Sequence, residues 1–187
     1  MKYIVNADDF HESNTGLDLL LEVKQKIPNF VITMFTVPGR CSNSFLDHVD
    51  RFYPWIKMVP HGLLHKTSRE CENWDYQTSV DYLDSMYSDY PWFQLGFKAP
   101  GWQISDDMYK ALLDCGYWVA DQEYNDNRRP ENLPAYILTY RDRKVTKLHY
   151  HIQNVCGNGL EEKKDELLAL DKDAEFMFIQ DYLKYGA

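Results

Sequence analysis

Residues 2–10 read KYIVNADDF, a short apolar run that ends at once in two carboxylates, Asp8 and Asp9. The run predicts a buried strand over 2–7 with both acids at its carboxyl end. Working outward, β-rich runs of similar length recur at 30–37, 56–60, 95–99, 117–120, 135–140, 145–151 and 175–180. Stretches with helical spacing lie between them. Residues 15–26 place Leu17, Leu20, Leu21 and Val23 on one broad face. Ser105, followed by Asp106 and Asp107, suits a helix N-terminus, and the helix carries Met108, Leu112 and Leu113 until Gly116 stops it. Residues 78–87 and 160–170 complete the helical set. Such alternation builds a parallel sheet or barrel, so the fold class is α/β.

The chain of 187 residues suits a single compact domain spanning 1–187, with 44% apolar and 15% aromatic residues to fill a core. A formal net charge of −9, with no basic stripe, disfavours nucleic-acid partners. No apolar run reaches the roughly 20 residues needed to span a bilayer, and the start lacks a secretory signal. Cys41, Cys71, Cys115 and Cys156 are scattered, without the close pairs of zinc sites, and read as reduced. A cytoplasmic location is expected, with no membrane partner. The polar segment 125–134, carrying Arg128 and Arg129, reads as a long surface loop.

In α/β folds the chemistry gathers at the carboxyl ends of the strands. Asp8 and Asp9 end the first strand, His61 follows the third, Lys98 closes the fourth, Asp121 leaves the fifth, and His149 lies late in the seventh. Paired carboxylates repel unless a cation or proton offsets them, although an arbitrary Asp pair is more often one turn residue and one solvated acid. The segment HGLLH, His61 to His65, spaces two imidazoles so that both can reach one ion from a helical turn or tight loop. It lacks the Glu of a metalloprotease HExxH. With Asp9 added, two His and one carboxylate make a three-ligand site with positions open for water and substrate.

In FKAPGW, Phe97 to Trp102, a plain surface turn is one reading. Beside a metal, Lys98 would orient a neighbouring carboxylate, the Gly101 N–H would face a developing oxyanion, and Trp102 would wall a sugar pocket. In KLHYH, His149 and His151 share one strand face. One can serve as a general acid, held protonated by a carboxylate such as Asp121; His151 reads better as a satisfied core histidine.

Taken in order, NADDF, HGLLH, FKAPGW, DCGYWVADQ (114–122) and KLHYH resemble the five successive motifs of the polysaccharide deacetylase (NodB-homology, carbohydrate esterase) family, and AEFMFIQDYL resembles its last strand and terminal segment. The first motif is also similar to that of the YdjC-like chitooligosaccharide deacetylases. The resemblance implies a deformed (β/α)7-type barrel holding one divalent ion, zinc before others, on Asp9, His61 and His65. It further implies Asp8 as general base, His149 as general acid, Asp121 as the orienter of that acid, and Gly101 as oxyanion donor. The implied reaction is release of an acyl group from an N-acylated sugar or glycoconjugate, with a small-molecule or oligosaccharide substrate.

Three positions depart from the family pattern. Gly62 stands where Ser or Thr follows the first motif-two His, so support for that loop has to come from elsewhere. Lys98 stands for Arg and loses the planar fork. Phe10 and His11 replace the Gly after the paired acids, which brings His11 near the cleft. Two rival readings are hydrolysis of another small amide or cyclic imide, and a non-catalytic carbohydrate-binding barrel.

Overall fold

A computed structural model describes residues 1–120, 145–155 and 157–185. Its centre is β1 (Lys2–Phe10), buried from Ile4 onward. A strand with neighbours on both sides and helices over its outer face must be apolar throughout, which is why KYIVNA reads as a continuous run. β2 (Ile32–Thr36) lies parallel on one side of β1 and β6 (Thr146–His151) parallel on the other. β3 (Ile56–Pro60) pairs with β2, and β7 (Glu175–Phe176) meets the start of β1 at Lys2 and Tyr3.

β4 (Gly96–Phe97) and β5 (Trp118–Val119) form a second parallel pair. Gln94 N–H donates to Met58 O at 3.0 Å and Lys98 N–H to Pro60 O at 3.2 Å, so β4 runs beside β3 and extends the row. The α/β class of the sequence reading stands. Among the described residues the row does not close into a ring.

The chain alternates as expected between these strands and helices. α1 (Leu17–Lys26) buries Leu19, Leu20 and Val23, α2 (Asn43–Phe52) buries Leu46 and Val49, and both pack on the outer face of the sheet with Val5, Ala7 and Met34. α3 (Tyr76–Asp89) and α4 (Asp106–Asp114) enclose a second cluster with Phe97, Ala99 and Val119. Ser105 caps α4 as expected, its hydroxyl accepting the Met108 N–H at 2.9 Å. Ile4, Phe35, Val59 and Trp118 fill the inner face, and α6 (Ile179–Tyr185) adds Ile179 and Tyr182 to them.

The element boundaries need several corrections. α2 was not foreseen, although Ser42 caps it by accepting the Phe45 N–H at 3.2 Å. The expected helix at 160–170 shortens to α5 (Lys164–Leu168). The expected strand at 175–180 stops at Phe176, because Ile179, Tyr182 and Leu183 recur at helical spacing and bury one face inward. The expected strand at 135–140 and loop at 125–134 fall outside the described residues. Cys41, Cys71 and Cys115 are free thiols, and Cys156 is not among the described residues. No described helix is long and apolar enough to cross a membrane.

Candidate metal centre and its cavity

Successive side chains on a regular strand point to opposite faces, so adjacent acids would part company. They do not here. Opposite β2, Ala7 pairs with Met34 but Phe10 pairs with Thr36, so Asp8 and Asp9 together stand against Phe35. This is a β-bulge, and it places Asp9 at φ 67° and turns both carboxylates into one cavity. The cavity is about 520 Å³ and is also lined by His61, His65, Gly101, Trp102, His149 and His151.

His61 leaves the end of β3, its backbone N–H held by Thr36 O at 2.7 Å. Its Nδ1 faces Lys98 O at 2.8 Å; a carbonyl only accepts, so Nδ1 is the donor and Nε2 is turned toward the acids. Nε2 lies 3.7 Å from Asp9 Oδ1, and His65 Nε2 lies 3.4 Å from the same oxygen. Ligand atoms around a tetrahedral ion held at about 2.1 Å stand roughly 3.4 Å apart, so Asp9, His61 and His65 fit a zinc-sized cation. Burial pushes the His61 pKa down, against the pull of Asp8, which favours the neutral ring that a cation requires.

HGLLH is a loop, with Gly62 at φ 63° and His65 at φ 46°. The support that Gly62 cannot supply comes from Glu70. Its carboxylate accepts the backbone N–H groups of Leu63, Leu64 and His65 at 2.9, 2.9 and 3.1 Å. A Cβ on Gly62 would lie 2.3 Å from Glu70 Oε2 and 2.7 Å from Pro100 Cγ, so the acid at 70 in this position leaves room only for glycine at 62. The Tyr82 hydroxyl fixes the loop from below by donating to Gly62 O at 2.7 Å. Glu70 was missed in the sequence; the only signal was the lost Ser or Thr at 62.

Lys98 is 1% exposed and its Nζ reaches both oxygens of Asp8, at 2.9 and 2.8 Å. The single ammonium therefore orients the carboxylate without a guanidinium fork, while it sits 4.9 Å from the centroid of the Phe35 ring. Burial alone would push the Asp8 carboxyl up; Lys98, His149 and His61 outweigh it and hold Asp8 well below the usual carboxylate range.

His149 and His151 share one face of β6, as expected, with Asn6 opposite the first and Asp8 opposite the second. Asn6 Oδ1 accepts from His149 Nδ1 at 2.7 Å, and His149 Nε2 lies 3.7 Å from Asp8 Oδ2. Asn6 was not singled out in the sequence. The reading of His151 as a satisfied core residue is corrected: it lines the cavity, with Nε2 3.9 Å from Asp8 Oδ2. His11 is buried beside the site, its Nδ1 3.1 Å from Ser13 Oγ, and is not among the residues lining the cavity. Asp121 lies outside the described residues. Of the other proposed residues, Gly101 and Trp102 line the cavity at φ 56° each, and a Cβ on Gly101 would meet Ser68 at 2.7 Å.

No family model and no curated protein matches the sequence. Solved structures do match its fold. An acetyl xylan esterase of family 4 from Clostridium thermocellum, in complex with a cobalt ion, superposes with a TM-score of 0.62 over 100% of this chain and 93% of its own, at 12% identity. The fold is that of the CE4 deacetylases. A chitin deacetylase from the fungal pathogen Colletotrichum lindemuthianum shares the CE4 fold with a TM-score of 0.55 over 96% of this chain and 86% of its own, at 16% identity. So does a CE4 family pseudoenzyme from Bacillus anthracis, with a TM-score of 0.57 over 97% of this chain and 65% of its own, at 13% identity. The CE4 fold therefore hosts both active and inactive proteins, and activity has to be argued from side chains.

Proposed function

We propose that the chain is a metal-dependent deacetylase that removes the acyl group from an N-acylated sugar or oligosaccharide. The observation that carries the reading is the convergence of Asp9, His61 and His65, at ligand spacing, on one cavity that also holds Asp8 and His149. The chitin acted on by one structural neighbour and the cobalt ion bound by another agree with it.

Asp9, His61 and His65 would hold a divalent ion, zinc before others, which would supply Lewis-acid polarisation of the acyl carbonyl and a lowered water pKa. Asp8, ionised and fixed by Lys98, accepts the proton of the attacking water. Gly101 presents its backbone N–H to the oxyanion that develops on the carbonyl oxygen as water adds to the acyl carbon. His149, held by Asn6 through Nδ1, presents Nε2 to the leaving nitrogen and protonates it, which makes an amine a competent leaving group. In this reading Asp121 orients the acid, and Trp102 forms an apolar wall for a sugar ring.

Purified protein supplied with zinc is expected to hold the ion on the Asp9 triad and to release acetate from N-acetylated sugars. Asp8→Asn is expected to abolish turnover while the ion is retained. A protein that takes up no ion from excess zinc, or an Asp8→Asn variant with undiminished turnover, defeats the proposal. Because the same fold also occurs as a pseudoenzyme, a wild-type protein that holds zinc but releases no acetate from any N-acetylated sugar defeats it too.

A further inference from the structure

The Asp9 triad uses only part of the metal-binding chemistry in the cavity. Asp8, His149 and His151 form a second cluster whose ligand atoms also lie within 4.8 Å of one another. The pairing of β6 with β1 builds it. Asn6 faces His149 and Asp8 faces His151, and the strand period of two aims both imidazoles to Asp8's side. The Nε2 atoms of His149 and His151 stand 3.7 and 3.9 Å from Asp8 Oδ2.

The orientation of His149 repeats that of His61. In each ring Nδ1 donates to an oxygen that can only accept, Asn6 Oδ1 for one and Lys98 O for the other. In the neutral ring this leaves the Nε2 electron pair aimed at a carboxylate, and the Nδ1 hydrogen bond fixes the tautomer and ring orientation that a cation needs. His151 Nδ1 has no hydrogen-bond partner among the described residues, and its ring stands edge-on to that of His149, with centroids 5.0 Å apart. Two imidazoles and a carboxylate around one point are the donor set of a zinc-type ion.

We infer that Asp8, His149 and His151 form a second divalent-cation site, weaker than the first, whose filling shuts the catalytic cavity. It is weaker because Lys98 already offsets the charge of Asp8, at 2.8 Å, and because an ion on the neighbouring triad repels a second one. The inhibitory consequence rests on the reading of Asp8 as base and His149 as acid, since both would be engaged as ligands. The binding itself does not.

Metal-free protein titrated with zinc against a chromophoric chelator tests the site. Two sequential ions are expected, the second at least about tenfold weaker than the first. His151→Gln is expected to lose the second ion and keep the first, so that retention of the first ion is its own control for folding; His149→Gln replaces it should that variant fail to fold. Lys98→Met is expected to tighten the second ion, and deacetylase activity is expected to fall as the second ion of the wild type fills. A single ion in the wild type at large zinc excess overturns this inference and leaves the Asp9 triad standing. A second ion that persists in both histidine variants overturns it as well. Failure to bind any ion sinks the proposed function itself.

Discussion

Lys98→Met should destabilise the metal-free chain by about 3–5 kcal/mol, the usual cost of stranding one member of a buried ion pair. Lys98 is 1% exposed and Asp8 4%, and the ammonium touches both carboxylate oxygens, so almost no solvent is available to replace it. For a chain of this length the loss is roughly 6–20 °C in Tm. The deficit should depend on pH with a definite sign. In the wild type the Asp8 pKa is depressed from its ordinary value of 3.8, so the pair contributes stability above that value and loses it as the pH falls. In Lys98→Met the cation that opposes burial is gone, the folded pKa moves up, and protonated Asp8 is tolerated. The gap between the two proteins should therefore narrow as the pH falls from the variant's raised Asp8 pKa, which lies above 3.8, toward the depressed wild-type one. Urea melts with chelator present, at pH 7 and in acid, measure both effects, and Asp8→Asn with Lys98→Met should recover much of the loss because neither charge then remains. A single variant within about 1 kcal/mol of wild type at pH 7, or a double variant as unstable as the sum of the two singles, refutes the claim that this pair positions Asp8.

Glu70→Ala should lower zinc affinity by about 10–100-fold, since three loop N–H groups lose their acceptor and His65 loses its fixed backbone; chelator competition measures it. Gly62→Ser should cost about 1–3 kcal/mol and weaken zinc binding, because its Cβ meets Glu70 Oε2 and the left-handed φ of 63° suits glycine; denaturant melts with and without zinc check both parts. Ser105→Ala should remove about 1 kcal/mol through the lost cap on α4 and leave zinc affinity unchanged, which separates a general stability loss from a local one.

What was legible in the sequence was legible for local reasons. The strand at 56–60 and the Ser105 cap depend on residues next to one another, and both stand as read. The convergence of Asp9, His61 and His65 was legible because they lie at the carboxyl end of β1 or in the loop that leaves β3, where a parallel sheet has to open. The bulge at Asp8 and Asp9 was not, since it exists only in the register of β1 against β2, and nothing within KYIVNADDF specifies that neighbour. Without it one acid would point to the outer core. Glu70 was hidden for a related reason: its partners are backbone groups, which carry no sequence signature. Gly62 marked the place where support was missing but could not name the residue that supplies it. His151 was misjudged because a histidine on an apolar strand does not say which face it occupies; the pairing of His151 with Asp8 decides that.

Backbone strain in the described residues is concentrated at the same place. The non-glycine residues with positive φ are Asp9, His65 and Trp102, and all three line the cavity. Each such conformation costs on the order of 1–2 kcal/mol for an L-residue, so each needs a local reason to persist. The bulge holds Asp9, the Glu70 carboxylate holds His65, and Trp102 is held by its N–H donating to Ala99 O at 3.0 Å. None of these restraints comes from an ion. Asp9 and His65, the two proposed ligands in strained conformations, are therefore set by the protein's own hydrogen bonds and register, and His61, fixed through Lys98 O, completes a cluster already at 3.4 and 3.7 Å spacing. Metal binding to such a centre should order little of the chain. The hydrogen-exchange protection of β1, β3 and the loop from His61 to His65 should change little when zinc is added to metal-free protein. Broad protection gained across that loop would mean that the ion, rather than Glu70, shapes it.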